Sequence, residues 1–312
     1  MPNSLDEYKQ WVYNNLPNGI TSENGRFSIN NRKFNNFKKA SWYRSYLTKF
    51  GLVTEPQYDP DAQALFNRFE ILPDEQRLNL INDRFVASKQ TTWWPKLDAL
   101  WVHAAHAPEA GRLNWISTKF NCLPVNDPAF VVDRGYTSDG VLSYLDSQFN
   151  IATEVAAGSK FQLNSGSIGI RSNSENSSDF PFMGAFTGGG SGVGTTLNPR
   201  KVSGTMESRV NQQASAESVD AVAGSIGMFA TSRTSASSLR SYRQGVMVFS
   251  STQTSITSAL INQNIILGGS RPAALRPSTQ FSMGWIGGGL TDAEVASIYE
   301  WFQPYREALG IV

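Results

Sequence analysis

Apolar and polar positions alternate with a period of two over much of the chain after Leu113, the pattern of strands with one buried face. Glycine, serine, asparagine and threonine are abundant there, which favours an all-β sandwich of two stacked sheets. Residues 242–245, Tyr-Arg-Gln-Gly, predict a hairpin turn with glycine at positive φ. The predicted strands are residues 130–132, 143–149, 160–171, 182–186, 201–209, 225–232, 238–243, 246–251, 264–267 and 281–285.

A helix is predicted to close the chain. Three glycines at 287–289 end the last predicted strand, and Thr291 with Glu294 three residues later forms a capping box. Pro304 removes one helical hydrogen bond and predicts a kink or break. The apolar positions that recur with helical spacing are Val295, Ile298, Phe302 and Leu309.

Residues 58–107 show helical spacing and predict a helical neck before the sandwich. Two helices are predicted around residues 62–69 and 73–86, the second stopped by the Trp-Trp-Pro sequence at 93–95. A third apolar stretch over residues 97–104 continues the helical pattern. His103 and His106 then share one helix face, as two metal ligands would. Because the chain has only these two histidines, a surface or capping role is expected for both.

Residues 1–57 form a segment of different composition, in which no acidic residue interrupts the stretch between Asn24 and Phe50. Basic side chains alternate there with aromatic ones, which permits stacking on single-stranded nucleic acid, docking onto a protein partner, or a small helical subdomain with a solvated basic face. Docking is the preferred interpretation. The proposed docking residues are Arg26, Arg32, Lys33, Phe34, Phe37, Trp42, Tyr43 and Tyr46.

The composition restricts the possible functions. With 27 basic and 26 acidic residues the net charge is +1, so nucleic acid and membrane surfaces are not expected as partners of the whole chain. One cysteine, Cys122, excludes an intrachain disulfide framework, and with two histidines it cannot complete a four-ligand zinc site. No run of eighteen apolar residues exists, and the N-terminus lacks the order of a signal peptide, so synthesis in a cytoplasm is expected.

The closing strand, glycine turn and capped helix resemble the end of concanavalin-A-like, laminin-G-like β-sandwiches, through Trp285, Ile286, Leu290, Thr291, Glu294, Val295 and Tyr299. Residues 58–312 also resemble tail-fibre-like structural proteins of phages and prophages. The motifs that carry this second resemblance are residues 96–101 (KLDALW), 104–105 (AA), 112–115 (RLNW), 125–130 (VNDPAF), 133–136 (DRGY) and 143–146 (SYLD).

The first resemblance implies a jelly-roll sandwich over residues 108–312, and it directs attention to the chemistry found in that fold. Its glycosidases carry a Glu-x-Asp-x-x-Glu pattern on one strand, and none of Glu154, Glu175, Glu207 and Glu217 has a partner at that spacing. A Ser-His-Asp arrangement is also unsupported, because both histidines precede the sandwich. The protein is therefore predicted not to be an enzyme and to need no cofactor. Some laminin-G-like domains hold calcium on a rim, and Asp133, Asp139 and Asp146 offer weak candidate ligands.

The second resemblance implies a phage virion structural protein. Its N-terminal region would anchor it to capsid or tail subunits, and the sandwich would be displayed outward for attachment to host-surface glycans or for decoration of the particle. A homo-oligomer is expected in that setting, with no membrane partner. Two alternatives remain open from the sequence: a depolymerase that cleaves glycans, and a soluble carbohydrate-binding module.

Overall fold

The computed structural model describes residues 57–188, 192–218, 220–270 and 276–311, and also the backbone of two short strands, β1 (Ile20–Glu23) and β2 (Arg26–Ile29). The chain divides into two compact units, residues 1–58 and 59–312. In the first unit, β1 and β2 pair antiparallel. The second unit contains the other described helices and strands.

Fifteen strands and four helices are described in the second unit. The helices are α1 (Pro60–Phe66), α2 (Glu75–Ser88), α3 (Ile151–Ala156) and α4 (Asp292–Ala308). The strands are β3 (Leu97–Val102), β4 (Leu123–Val125), β5 (Ala129–Val131), β6 (Gly135–Thr137), β7 (Tyr144–Asn150), β8 (Gly166–Ser172), β9 (Met183–Phe186), β10 (Gly194–Asn198), β11 (Glu207–Gln212), β12 (Ala216–Glu217), β13 (Gly227–Ser235), β14 (Ser238–Arg243), β15 (Val246–Ser251), β16 (Asn264–Leu267) and β17 (Gln280–Gly287).

These strands form two antiparallel sheets. The seven-stranded sheet has the order β12-β11-β10-β9-β16-β7-β4, and the eight-stranded sheet has the order β15-β14-β13-β8-β17-β6-β5, with β3 also paired to β17. Side chains of the two inner faces make one continuous core that includes Leu145, Leu197 and Val210 from the first sheet and Ile168 and Phe229 from the second. The predicted mainly β protein of two stacked sheets is therefore confirmed.

Strand β17 lies inside the eight-stranded sheet and has neighbours along both edges. It pairs with β8 on one edge and with β6 and β3 on the other. On the outer face, Trp285 lies over Gly169 of β8, where an added Cβ would be 2.0 Å from the indole ring. Any larger residue at 169 would clash with Trp285, so glycine is required there while β8 and β17 are paired.

Helix α4 follows β17 and begins with the predicted capping box. Thr291 accepts the backbone N–H of Glu294, and Glu294 accepts the backbone N–H of Thr291. At the same end, Asp292 pairs with Arg240 of β14 and accepts the Tyr242 hydroxyl, which holds the helix on the outer face of the eight-stranded sheet.

The predicted break at Pro304 does not occur, since α4 continues through it to Ala308. Pro304 cannot donate to the carbonyl of Glu300. Both residues are exposed, so water can satisfy that carbonyl.

The predicted helical neck is wrong for residues 97–104. Residues Leu97–Val102 form β3, paired antiparallel with β17, because five of the six are buried and the strand belongs to the sandwich. Helices α1 and α2 are present as predicted, but α2 ends at Ser88 and packs against α4. Arg84 donates to the Trp301 carbonyl, and the Trp301 indole donates to the Arg84 carbonyl.

No helix among the described residues is long and apolar enough to cross a membrane.

The capping box gives a first test of how α4 is held. Thr291→Ala removes the oxygen that accepts the Glu294 N–H, so the free energy of unfolding should fall by about 1 kcal/mol. Thr291→Ser keeps a hydroxyl at the same position and should retain most of that stability. Urea unfolding of the three proteins measures the difference, and equal losses in both variants would contradict the capping role.

Candidate functional site

The proposed docking residues cannot be placed as a surface. Arg26 lies in β2, of which only the backbone is described. The remaining candidates, Arg32, Lys33, Phe34, Phe37, Trp42, Tyr43 and Tyr46, lie outside the described residues. The docking arm therefore stays a prediction.

The three candidate calcium ligands serve separate structural roles. Asp133 pairs with Arg77 at 2.7 Å, and Asp146 accepts the Asn264 amide and the Gln148 N–H. Asp139 accepts three backbone N–H groups of the following turn, chiefly from Ser143, which lower its pKa to about 2. Among the described residues, no three His, Cys, Asp or Glu side chains come together as metal ligands.

The two histidines do not share a helix face, because the residues before them form β3. His103 is fully buried, in contrast to the surface or capping role expected for it, and one ring nitrogen lies 2.6 Å from the Gly111 carbonyl. Burial lowers its pKa to about 4, so the ring is neutral at pH 7. His106 lies 2.6 Å from the Ile71 carbonyl. Both roles are structural.

A pair of carboxylates lies on the outer face of the seven-stranded sheet. Glu207 and Glu217 are direct cross-strand partners of β11 and β12. Their neighbours Ser208 and Ala216 face inward, Ala216 in the core and Ser208 bonded to Ser241 of the other sheet. Because side chains alternate along a strand, both glutamates point outward and lie side by side.

Lys201 joins the two carboxylates. Its ammonium lies 3.1 Å from a Glu207 oxygen and 2.7 Å from a Glu217 oxygen. These two oxygens are therefore at most about 6 Å apart, a bound that admits the roughly 5–5.5 Å between the carboxyl groups of retaining glycosidases. The sequence motif missed this pair because its members are on different strands.

A tight turn places Lys201 over the pair. The Lys201 N–H donates to the Thr205 carbonyl, and the Gly204 N–H donates back to the Lys201 carbonyl. Gly204 has φ +90°, which other residues resist. The turn therefore brings both Lys201 and Thr205 to Glu217. The Thr205 hydroxyl donates to a Glu217 oxygen at 3.3 Å.

Arg209 and Phe186 extend this face toward β9. The Arg209 guanidinium lies 4.5 Å from the centroid of the Phe186 ring and 3.6 Å from Glu207. A Cβ at Gly194, between them on β10, would be 2.9 Å from the Arg209 side chain, so glycine leaves the space in which the arginine lies flat. Nearby, the Thr196 hydroxyl is buried without a hydrogen-bond partner among the described residues.

The electrostatics of the cluster follow from burial and pairing. Burial lowers the pKa of Lys201, but hydrogen bonds to Glu217 and Glu207 outweigh it, and the net pKa is raised above 10.5. Burial lowers the pKa of Arg209, which Glu207 only partly offsets. Glu207 has a side-chain exposure of 13% and Glu217 one of 38%, so the second carboxylate is the more accessible to solvent.

No family model matches the chain, and no curated protein matches it. Solved structures do match. A sialidase from Trypanosoma rangeli in complex with sialic acid is 10% identical over 91% of this chain and 44% of its own, with a TM-score of 0.49. Domain 4 of a GH43 extracellular arabinanase from Geobacillus stearothermophilus, in complex with arabinotriose, is 14% identical over 65% of this chain and 98% of its own, with a TM-score of 0.42.

A third solved structure, the CBM40 of a Ruminococcus gnavus IT-sialidase, is 19% identical over 44% of this chain and 83% of its own, with a TM-score of 0.35. The chain spans less than half the length of the sialidases that it matches.

The prediction that the protein is not an enzyme is wrong. It rested on the missing Glu-x-Asp-x-x-Glu pattern, whereas the matching solved structures include several sialidases, which are enzymes. The lack of paired carboxylates was the reason for excluding a glycosidase. Glu207 and Glu217 do come together on this sheet, so that reason no longer applies.

Replacement of Lys201 tests the structure of the cluster. Lys201→Met leaves two like charges directly opposite, so the free energy of unfolding at pH 7 should fall by about 1 kcal/mol. Because folding raises the pKa of Lys201, its contribution is complete below pH 10.5 and is lost as the pH rises through the raised pKa. The deficit of Lys201→Met should therefore shrink in alkaline solution.

Chemical unfolding at neutral and alkaline pH measures this deficit. Lys119→Met, which alters an exposed lysine, is the matched control and should show little change at either pH. A Lys201→Met deficit that is absent at pH 7, or that grows in alkali, would contradict the bridging role.

Proposed function

We propose that the unit of residues 59–312 acts on glycans at the outer face of the seven-stranded sheet, and that it cleaves glycosidic bonds there. The single observation that carries the proposal is the pair of Glu207 and Glu217, whose oxygens lie within about 6 Å of each other around Lys201. A pair of carboxyl groups roughly 5–5.5 Å apart is the chemical requirement of a retaining glycoside hydrolase, and the bound on this pair admits that separation.

The environments of the two glutamates assign their roles. Glu207 contacts Arg209 as well as Lys201 and is the less exposed of the two, so we assign it as the nucleophile. Glu217 then protonates the leaving oxygen and activates water, and it must first lose the Lys201 ammonium that lies 2.7 Å from it. The substrate displaces the ammonium of Lys201 from at least one carboxylate.

The neighbouring side chains provide contacts for a sugar. Phe186 offers an aromatic ring, and Arg209 offers guanidinium donors that lie along that ring. Aromatic and charged polar groups on one sheet face match the combined apolar and hydroxyl surfaces of a sugar ring.

The finer fold assignment is part of the same proposal. We propose a concanavalin-A-like, laminin-G-like sandwich, supported by the order of β17, the glycine turn at 287–289 and the Thr291–Glu294 capping box before α4. The resemblance to tail-fibre-like phage proteins supports a particle-borne protein, with capsid or tail subunits as partners and host-surface polysaccharide as substrate.

Substitution of the two carboxylates tests the catalytic proposal. Glu207→Gln and Glu217→Gln keep the size of each side chain but remove its nucleophile or acid–base function, so the release of reducing ends from polysaccharide should fall by about 10²–10⁴-fold. Glu300→Gln, an exposed position on α4, is the matched control and should keep full activity.

The assay is reducing-end release from a panel of bacterial capsular and storage polysaccharides. Azide rescue of Glu207→Ala, which leaves space for the anion, with formation of a glycosyl azide of inverted anomeric configuration, would identify Glu207 as the nucleophile. Cleavage that survives both substitutions would exclude this pair, and binding without cleavage by the native protein would leave the sandwich as a carbohydrate-binding module.

The particle assignment has a separate test. Deletion of residues 1–57 removes one of the two compact units and should leave a folded remainder that cleaves glycans but no longer joins phage particles. Protein analysis of purified particles, made with the full chain and with the deletion, measures incorporation. Full incorporation of the deleted chain would contradict the docking role of the arm.

A further inference from the structure

A buried arginine with two unpartnered nitrogens lies on the outer face of the eight-stranded sheet, whereas the carboxylate pair lies on the outer face of the other sheet. Arg171 of β8 is only 4% exposed, and its Nε and Nη1 have no hydrogen-bond partner among the described residues. Its cross-strand neighbours are Met228 of β13 and Met283 of β17, which are both buried. The alkyl stem of Arg171 therefore lies between two apolar residues on the outer face of the eight-stranded sheet.

Helix α4 covers this face and adds a second cation. Burial is the largest cause that lowers the pKa of Arg171, to about 10, and the charge of Arg306 on α4 is the next. Tyr299, about two turns before Arg306 on the same face of α4, acts in the opposite direction. Arg306 has a buried Nε of its own without a hydrogen-bond partner among the described residues, so both guanidinium groups have unmet hydrogen-bonding capacity.

Other arginines of the same sheet show how the fold normally treats such a charge. Arg233 is also buried, but its guanidinium donates to the carbonyls of Val210 and Ala236, among others. Arg240 is exposed and pairs with Asp292. Burial of a cation without partners is unfavourable, and in native proteins such a group is normally paired, hydrogen-bonded or bound to a ligand.

We propose that Arg171 and Arg306 form a binding site for a small oxyanion between β8 and α4. Guanidinium N–H groups match the oxygens of phosphate, sulfate and carboxylate groups, which would supply both the missing hydrogen bonds and the missing charge. Arg306 is half-buried and so is the solvent-accessible member of the pair, and the anion would enter beside it. The site is separate from the carboxylate pair, and it needs no glycan cleavage.

Thermal unfolding of the full chain in the presence of anions tests the site. Inorganic phosphate and glucuronate should each raise the Tm in a saturable manner, whereas sodium chloride and neutral glucose should not. The two anions distinguish a free oxyanion from an acidic sugar, and a saturable shift with either supports the proposal. Arg171→Met should abolish the shift, and Lys119→Met, which removes an exposed cation just before β4, should retain it.

Several outcomes would overturn the proposal: no saturable shift with either anion, an equal shift with chloride, or an unchanged shift in Arg171→Met. If Arg171→Met does not fold, Arg306→Gln gives the second measurement. It should fold, because Arg306 is half-buried, and it should weaken the apparent affinity by about tenfold. An unchanged affinity in that variant would also exclude the site.

Discussion

Strand β17 is the element on which the rest of this fold depends. Both of its edges are paired, with β8 along one and with β3 and β6 along the other, so it joins segments from nearly the whole of the second unit. Trp285 projects from it onto the outer face, where it requires glycine at 169. The strand leads directly through its glycine turn into α4. The position of α4, and of Arg306 on it, is therefore set by a strand in the middle of the sheet.

The features that the sequence predicted well are those with local causes. The capping box of Thr291 and Glu294 is specified within four residues, and the turn at 242–245 requires two positive φ angles, which Gln244 and Gly245 adopt. Strand β3 was predicted as a helix because its apolar residues also fit helical spacing. A strand that is buried on both faces loses the period of two, and only its pairing with β17 identifies it.

The candidate site could not be predicted from spacing for a related reason. Glu207 and Glu217 are ten positions apart, and their contact depends on the register between β11 and a β12 of only two residues. Strand β10, which contributes Gly194 and Thr196 to the same face, was not predicted at all, since its glycine and threonines resemble the loop before it. A search for carboxylates on one strand was bound to miss a pair made by a hairpin.

Three cations of the sandwich, Arg233, Lys201 and Arg171, have different surroundings, and the comparison indicates which of them can bind a ligand. Arg233 is satisfied by backbone carbonyls, which is a purely structural solution. Lys201 is satisfied by two carboxylates on an accessible face, so its partners can be exchanged for a substrate. Arg171 has neither, although an apolar side chain would pack well between Met228 and Met283. Because the fold itself does not need a positive charge at this position, we explain the charge by a ligand that binds it.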